Sequence, residues 1–124
     1  SKTDFQVLIE EICNDVSGVL AGSILDLDTG HSLGEDIHSS LTQEDIRLLD
    51  VASIKRKVAS IRALAPDEKI EDIVITLSDH VHLFLISRDQ RLMVHLVASY
   101  AKTNLGLARV SVRKHLQHLI KIAA

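Results

Sequence analysis

The sequence predicts an α/β domain of the α+β kind: a five-stranded antiparallel sheet with helices on both faces, in the order α-β-β-α-β-β-β-α. Three observations lead there. Three apolar runs between Ile70 and Tyr100 are separated only by short polar turns at Asp79-His80 and Asp89-Gln90, which makes them an antiparallel meander. The strand segments are apolar on both faces, so both sides of the sheet need a cover. The apolar residues flanking them recur at helical spacing, which supplies that cover.

Phe5, Leu8, Ile9 and Ile12 lie on one helical face, with Asp4, Glu10 and Glu11 outside it and Thr3 as a capping residue. This helix should end near Asn14, because Asp15 to Gly18 is turn chemistry. Val19 to Asp26 reads as a strand covered on both sides, and His31 to Gly34 as a shorter returning strand. Thr42-Gln43-Glu44-Asp45 opens a long helix with a capping-box-like start and acid in its first turn. Lys55, Arg56, Lys57 and Arg62 crowd its second half, where the helix dipole favours positive charge, and Pro66 ends it. Strands follow at Ile70 to Ser78, Val81 to Arg88 and Leu92 to Tyr100. Asn104 can cap a last helix striped by Leu105, Ala108, Val112, Leu116, Leu119 and Ile120.

The stretch Gly22-Ser23-Ile24-Leu25-Asp26-Leu27-Asp28-Thr29-Gly30-His31-Ser32-Leu33 invites a calcium reading. An EF-hand loop starting at Asp26 would put Gly30 at position 5, His31 at position 6 and Ile37 at position 12, where a bidentate glutamate is required. The closing carboxylate is missing. Asp and Gly between apolar runs suit a hairpin turn instead, because Asp bonds nearby backbone and Gly accepts positive φ.

Composition narrows the function classes. The 124 residues suit one domain with a sizeable core, and 46% of them are apolar. Aromatics are only 2%, too few for a base-stacking nucleic-acid surface, and a net charge of −3 without a basic block offers no phosphate-neutralising one. No nucleic acid partner is expected. The lone Cys13 precludes an intramolecular disulfide within the chain and suits a reducing compartment. No apolar run reaches the ~20 residues of a membrane helix, and the first residues lack a signal-peptide pattern. The expected setting is cytoplasmic, with no membrane partner.

The sequence resembles the roadblock/LC7 domain family, which includes dynein light chain relatives and bacterial gliding-protein regulators. Ser17-Gly18-Val19-Leu20-Ala21-Gly22-Ser23-Ile24-Leu25-Asp26 through Gly30 is similar to that family's first hairpin. Tyr100 through Leu105-Gly106-Leu107-Ala108-Arg109 is similar to its entry into the last helix. The element order matches over residues 1–124, read as a single domain. The resemblance implies a profilin-like fold and a homodimer in which third strands pair edge to edge and long helices lie side by side. It also implies a non-enzymatic regulator or scaffold, several members of the family being binders of small Ras-like GTPases.

The residues give this implication somewhere to act. Ile46, Val51, Ile54, Val58 and Ile61 form a broad helical stripe suited to packing on a sheet. Leu48, Ala52, Arg56, Ala59 and Ala63 form a second row, whose small side chains let another helix approach or merely reflect alanine's helix propensity. Ile73, Val74, Ile75 and Leu77 are apolar on both faces of a strand without the proline that guards an edge. With the resemblance, Leu48, Ala52, Ala59, Ala63, Ile73 and Ile75 become the expected dimer contacts. Lys55, Arg56 and Lys57 become the expected partner-binding cations, for an acidic patch on a Ras-like GTPase.

Chemistry of other kinds finds little support. No Gly-x-x-x-x-Gly-Lys-Ser/Thr occurs, so nucleotide would have to sit on a separate chain. Seven histidines include His115 and His118 on one helix, and His82 and His95, diagonal neighbours if Arg88 pairs with Arg91. Zinc wants three or four ligands, Cys13 is remote in sequence from these histidines, and no Cys-x-x-Cys is present, so no metal or cofactor is expected. Cys13 falls on the first helix's apolar stripe and reads as a small hydrophobe, and no Gly-x-Ser-x-Gly elbow marks a serine nucleophile. No enzyme is expected. The competing reading is a small-ligand sensor of PAS-like or GAF-like architecture, which would need a roomy pocket against the sheet.

Overall fold

A computed structural model describes residues 2–38, 41 and 51–123. Helix α1, Asp4–Asp15, starts where Thr3 Oγ1 accepts from the Gln6 N–H at 3.2 Å, and it buries Leu8, Ile9, Ile12 and Cys13. Strands β1 (Val19–Asp26) and β2 (Ser32–Ile37) form the first hairpin. Helix α2 spans Val51–Leu64. Strands β3 (Asp72–Thr76), β4 (His80–Ile86) and β5 (Leu92–Ser99) form the meander. Helix α3, Leu105–Ala123, is capped by Asn104, whose Oδ1 accepts from the Leu107 N–H at 3.0 Å. The proposed start at Thr42 to Asp45, with Ile46 and Leu48, lies outside the described residues, as do the side chains of Val51, Leu119 and Ile120.

The sheet order is β2-β1-β5-β4-β3, with antiparallel neighbours throughout. Strands β1, β4 and β5 are buried on both faces, which is why their sequences are almost continuously apolar. One face packs under α1 and α3 through Ile24, Leu83, Leu85, Val94 and Leu96, which meet Ile9, Ile12, Val112 and Leu116. The other packs under α2 through Leu25, Phe84, Ile86 and Met93, which meet Ile54 and Val58.

The hairpin reading of the first loop holds. Asp26 Oδ1 accepts from the Asp28 N–H at 2.8 Å and the Thr29 N–H at 3.1 Å, and the Gly30 N–H bonds back to the Asp26 carbonyl at 2.7 Å. Strand β2 runs three residues beyond the expected Gly34, to Ile37. Glu35 and Asp36 can occupy it because an edge strand needs backbone pairing, here with Ser23 and Gly22, and not apolar side chains. The third strand is shorter than Ile70 to Ser78, since Ile70 is held by a side chain instead of a neighbouring strand.

Two glycines show why the first hairpin has its sequence. Gly18 has φ +86°, and a Cβ there would lie 2.3 Å from Thr103 Oγ1, at the junction leading into α3. Gly22 admits α1 to the sheet, since a Cβ there would lie 2.6 Å from Cys13 Sγ and 3.0 Å from Ile9 and Leu96.

Candidate interaction surface

Strand β3 lies at the sheet edge, paired to β4 from Asp72–Leu85 to Thr76–Val81. Ile73 and Ile75 are half-buried against the α2-side core, and Val74 against the opposite one. Its outer backbone groups are the kind of template an edge strand offers to a further strand. Arg109 fixes the strand's beginning from α3, with Nε and Nη2 donating to Asp72 Oδ2 and Oδ1 at 3.2 and 3.4 Å.

A second anchor comes from Gln90, in the β4–β5 turn. Its Nε2 donates to the Ile70 and Ser87 carbonyls, both at 3.0 Å, and its Oε1 accepts from the Ile70 N–H at 3.3 Å. Its backbone sits at φ +61°, a left-handed position that a non-glycine residue occupies at a cost offset by these bonds. Nothing in the Asp89-Gln90 dipeptide beyond its turn character pointed to this role.

Helix α2 turns Ile54 and Val58 inward, and it leaves Ala52, Ala59 and Ala63 exposed in one row with Arg56. Leu48, expected to extend that row, lies outside the described residues. The cations do not share one patch. At about 100° per residue, Lys55 and Arg62 occupy one flank, Arg56 the outward row and Lys57 the other flank. Lys55 Nζ donates to the Asp28 carbonyl at 3.0 Å, and Arg62 Nη2 to the Gln90 carbonyl at 2.7 Å. Both therefore tie the helix to turns at one end of the sheet. Arg56 and Lys57 are exposed. Leu64, 83% exposed, adds apolar surface at the helix end.

The histidines separate into distinct environments. His82 and His95 are diagonal neighbours, as the hairpin register requires, with His82 Nδ1 and His95 Nε2 3.0 Å apart. Both are buried, and His95 stacks on Phe84 with ring centroids 4.2 Å apart. Burial, then the proximity of His80, pushes His82 down to about 4. Burial and the neighbouring His82 lower His95 as well. His115 bonds Asp15 at 2.9 Å, joining α3 to α1, while His118 is exposed. Cys13 is buried, and burial followed by the Asp36 charge pushes its thiol up to about 12, which leaves it a poor nucleophile. On the sheet's α2 side, the cleft lined by Ala21, Ser23, Ile37, His95 and Val97 holds about 50 Å³, little more than room for water.

No protein-family model matches the chain, and no curated protein matches it in sequence. Solved structures match its shape. The roadblock/LC7 domain from Streptomyces avermitilis superposes with a TM-score of 0.75 at 9% identity, covering 98% of both chains. The gliding protein MglB from Thermus thermophilus gives 0.73 at 16% identity, over 94% of this chain and 86% of its own. A structure described as MglB with tetrameric arrangement gives 0.72 at 16% identity, over 94% and 85%. The architecture is therefore the roadblock/LC7 fold, with the element order and two-sided helical cover that the sequence predicted.

Proposed function

We propose that this chain, built on a roadblock/LC7 fold, is a non-enzymatic homodimeric regulator or scaffold that binds a small Ras-like GTPase. The observation that carries the reading is the apolar edge strand β3 in a sheet whose covering helix, α2, has a row of exposed alanines. Two β3 strands meeting about a two-fold axis would continue the sheet from one copy into the next. The same operation brings the two α2 helices together, and Ala52, Ala59 and Ala63 allow close approach. The likeness to a structure with a tetrameric arrangement supports self-association as a habit of this fold. Arg56 and Lys57 add positive charge on the exposed side of α2, whereas Lys55 and Arg62 are turned to the sheet's end, and that charge suits an acidic patch on a partner. A small-ligand sensor would want far more room than the roughly 50 Å³ that the described residues leave at the α2-side sheet face.

The immobilised 124-residue chain, presented with Ras-like GTPases loaded with GDP or a non-hydrolysable GTP analogue, tests the partner. Retention of one GTPase in a nucleotide-dependent way is expected. Substituting Arg56→Glu with Lys57→Glu should weaken that retention most at low salt, because exposed charge acts chiefly on encounter. Failure to retain any Ras-like GTPase in either nucleotide state would overturn the reading.

A further inference from the structure

The side chains of Cys13, Asp36 and His38 converge where α1 crosses the first hairpin. Cys13 Sγ, a carboxylate oxygen of Asp36 and a ring nitrogen of His38 all lie within 4.8 Å of one another. The fold brings them there for separate reasons. Cys13 is on the buried face of α1 and rests on Gly22, and Gly22 pairs with Asp36 in the β1–β2 register. His38 follows two residues later, its N–H bonded to the Leu20 carbonyl at 2.9 Å, so alternation returns its side chain to the same face as Asp36. His38 Nε2 lies 2.5 Å from Asp36 Oδ2.

We propose that Cys13, Asp36 and His38 form a zinc site that clips helix α1 to the edge strand β2. One sulfur, one imidazole nitrogen and one carboxylate oxygen make a donor set of the borderline softness zinc prefers. Zinc bonds of about 2.0–2.3 Å put tetrahedral ligand atoms ~3.3–3.8 Å apart, so the three groups need only small side-chain rotations. His38, exposed and at the end of β2, can make them. On binding, the Cys13 S–H bond breaks, its electron pair forms the zinc–sulfur bond, and the proton leaves to water. No electron changes hands. Thiolate and carboxylate together cancel the dication's charge, which suits a site with one buried ligand. The fourth position opens on a cleft of about 520 Å³ lined also by Lys2, Glu10, Glu11 and Asn14, where water can complete the shell. Sequence reading missed the site because residue 13 and residues 36 and 38 meet only through strand β2, whose length exceeded expectation.

The test uses untagged, reduced, metal-free full chain titrated with cobalt(II), then zinc. One equivalent of cobalt should bind with a thiolate-to-metal charge-transfer band, and zinc should displace it. Cys13→Ser should remove the band. His38→Ala, at an exposed position, should weaken zinc binding by at least ~tenfold while the chain stays folded, and Asp36→Asn should weaken it too. His118→Ala should change nothing. Where Cys13→Ser does not fold, His38→Ala decides. Absence of stoichiometric binding, a cobalt complex without the sulfur band, or zinc affinity unchanged by His38→Ala would each overturn the site.

Discussion

At residue 18 the chain leaves α1 and enters β1, and only glycine fits. Its φ of +86° is strained for any L side chain, and the Thr103 hydroxyl occupies the space a Cβ would take. Gly18→Ala should therefore destabilise the fold by about 1–3 kcal/mol, read as a lower midpoint in urea. The first turn makes a contrasting case. Asp26 accepts two bonds from the turn backbone, from the Asp28 and Thr29 N–H groups, so Asp26→Ala should cost ~1 kcal/mol. Asp28 is exposed and Asn serves a turn as well, so Asp28→Asn should leave the midpoint nearly unchanged. Equal losses from the two turn substitutions would contradict this assignment.

Among the elements, α2 directs Lys55 and Arg62 to the turns at one end of the sheet, while Lys57 lies exposed on its other flank. Lys55→Ala should lower stability slightly, by up to ~1 kcal/mol, through the lost bond to the Asp28 carbonyl, while Lys57→Ala should be silent. Paired denaturation curves distinguish the two. Such a division was not legible in Lys55-Arg56-Lys57 as a sequence, because adjacency in the chain separates residues by about 100° around a helix. The helix caps at Thr3 and Asn104, the hairpin turn and the meander were legible, each having a local physical signature. The full length of β2 was not, since backbone pairing at an edge tolerates Glu35 and Asp36 without any hydrophobic alternation. Gln90 escaped for a related reason: its three contacts with Ile70 and Ser87 depend on tertiary approach.

For the whole molecule, the buried pair His82 and His95 couples stability to pH. Both are held neutral in the folded chain, below the ordinary imidazole value near 6.5, which the unfolded chain keeps. The unfolded state then binds more protons once pH falls below ~6.5, so their contribution is intact above that pH. It is lost progressively on acidification towards about 4, where His82 titrates in the fold. Denaturation midpoints should fall across that window, and a His82→Gln, His95→Gln variant should show a flatter profile. An equally steep profile in the variant would assign the effect to other groups. The same α2 side of the sheet bears on assembly. Half-buried Ile73 and Ile75 on the edge strand, with the exposed alanine row of α2, are the features from which we propose a dimer, which would bury more than ~2,000 Å² in total and persist on dilution. Light scattering of the full chain, diluted through the micromolar range, tests that claim most directly. A constant mass of twice the single chain is the expected result, and a single-chain mass throughout would contradict it.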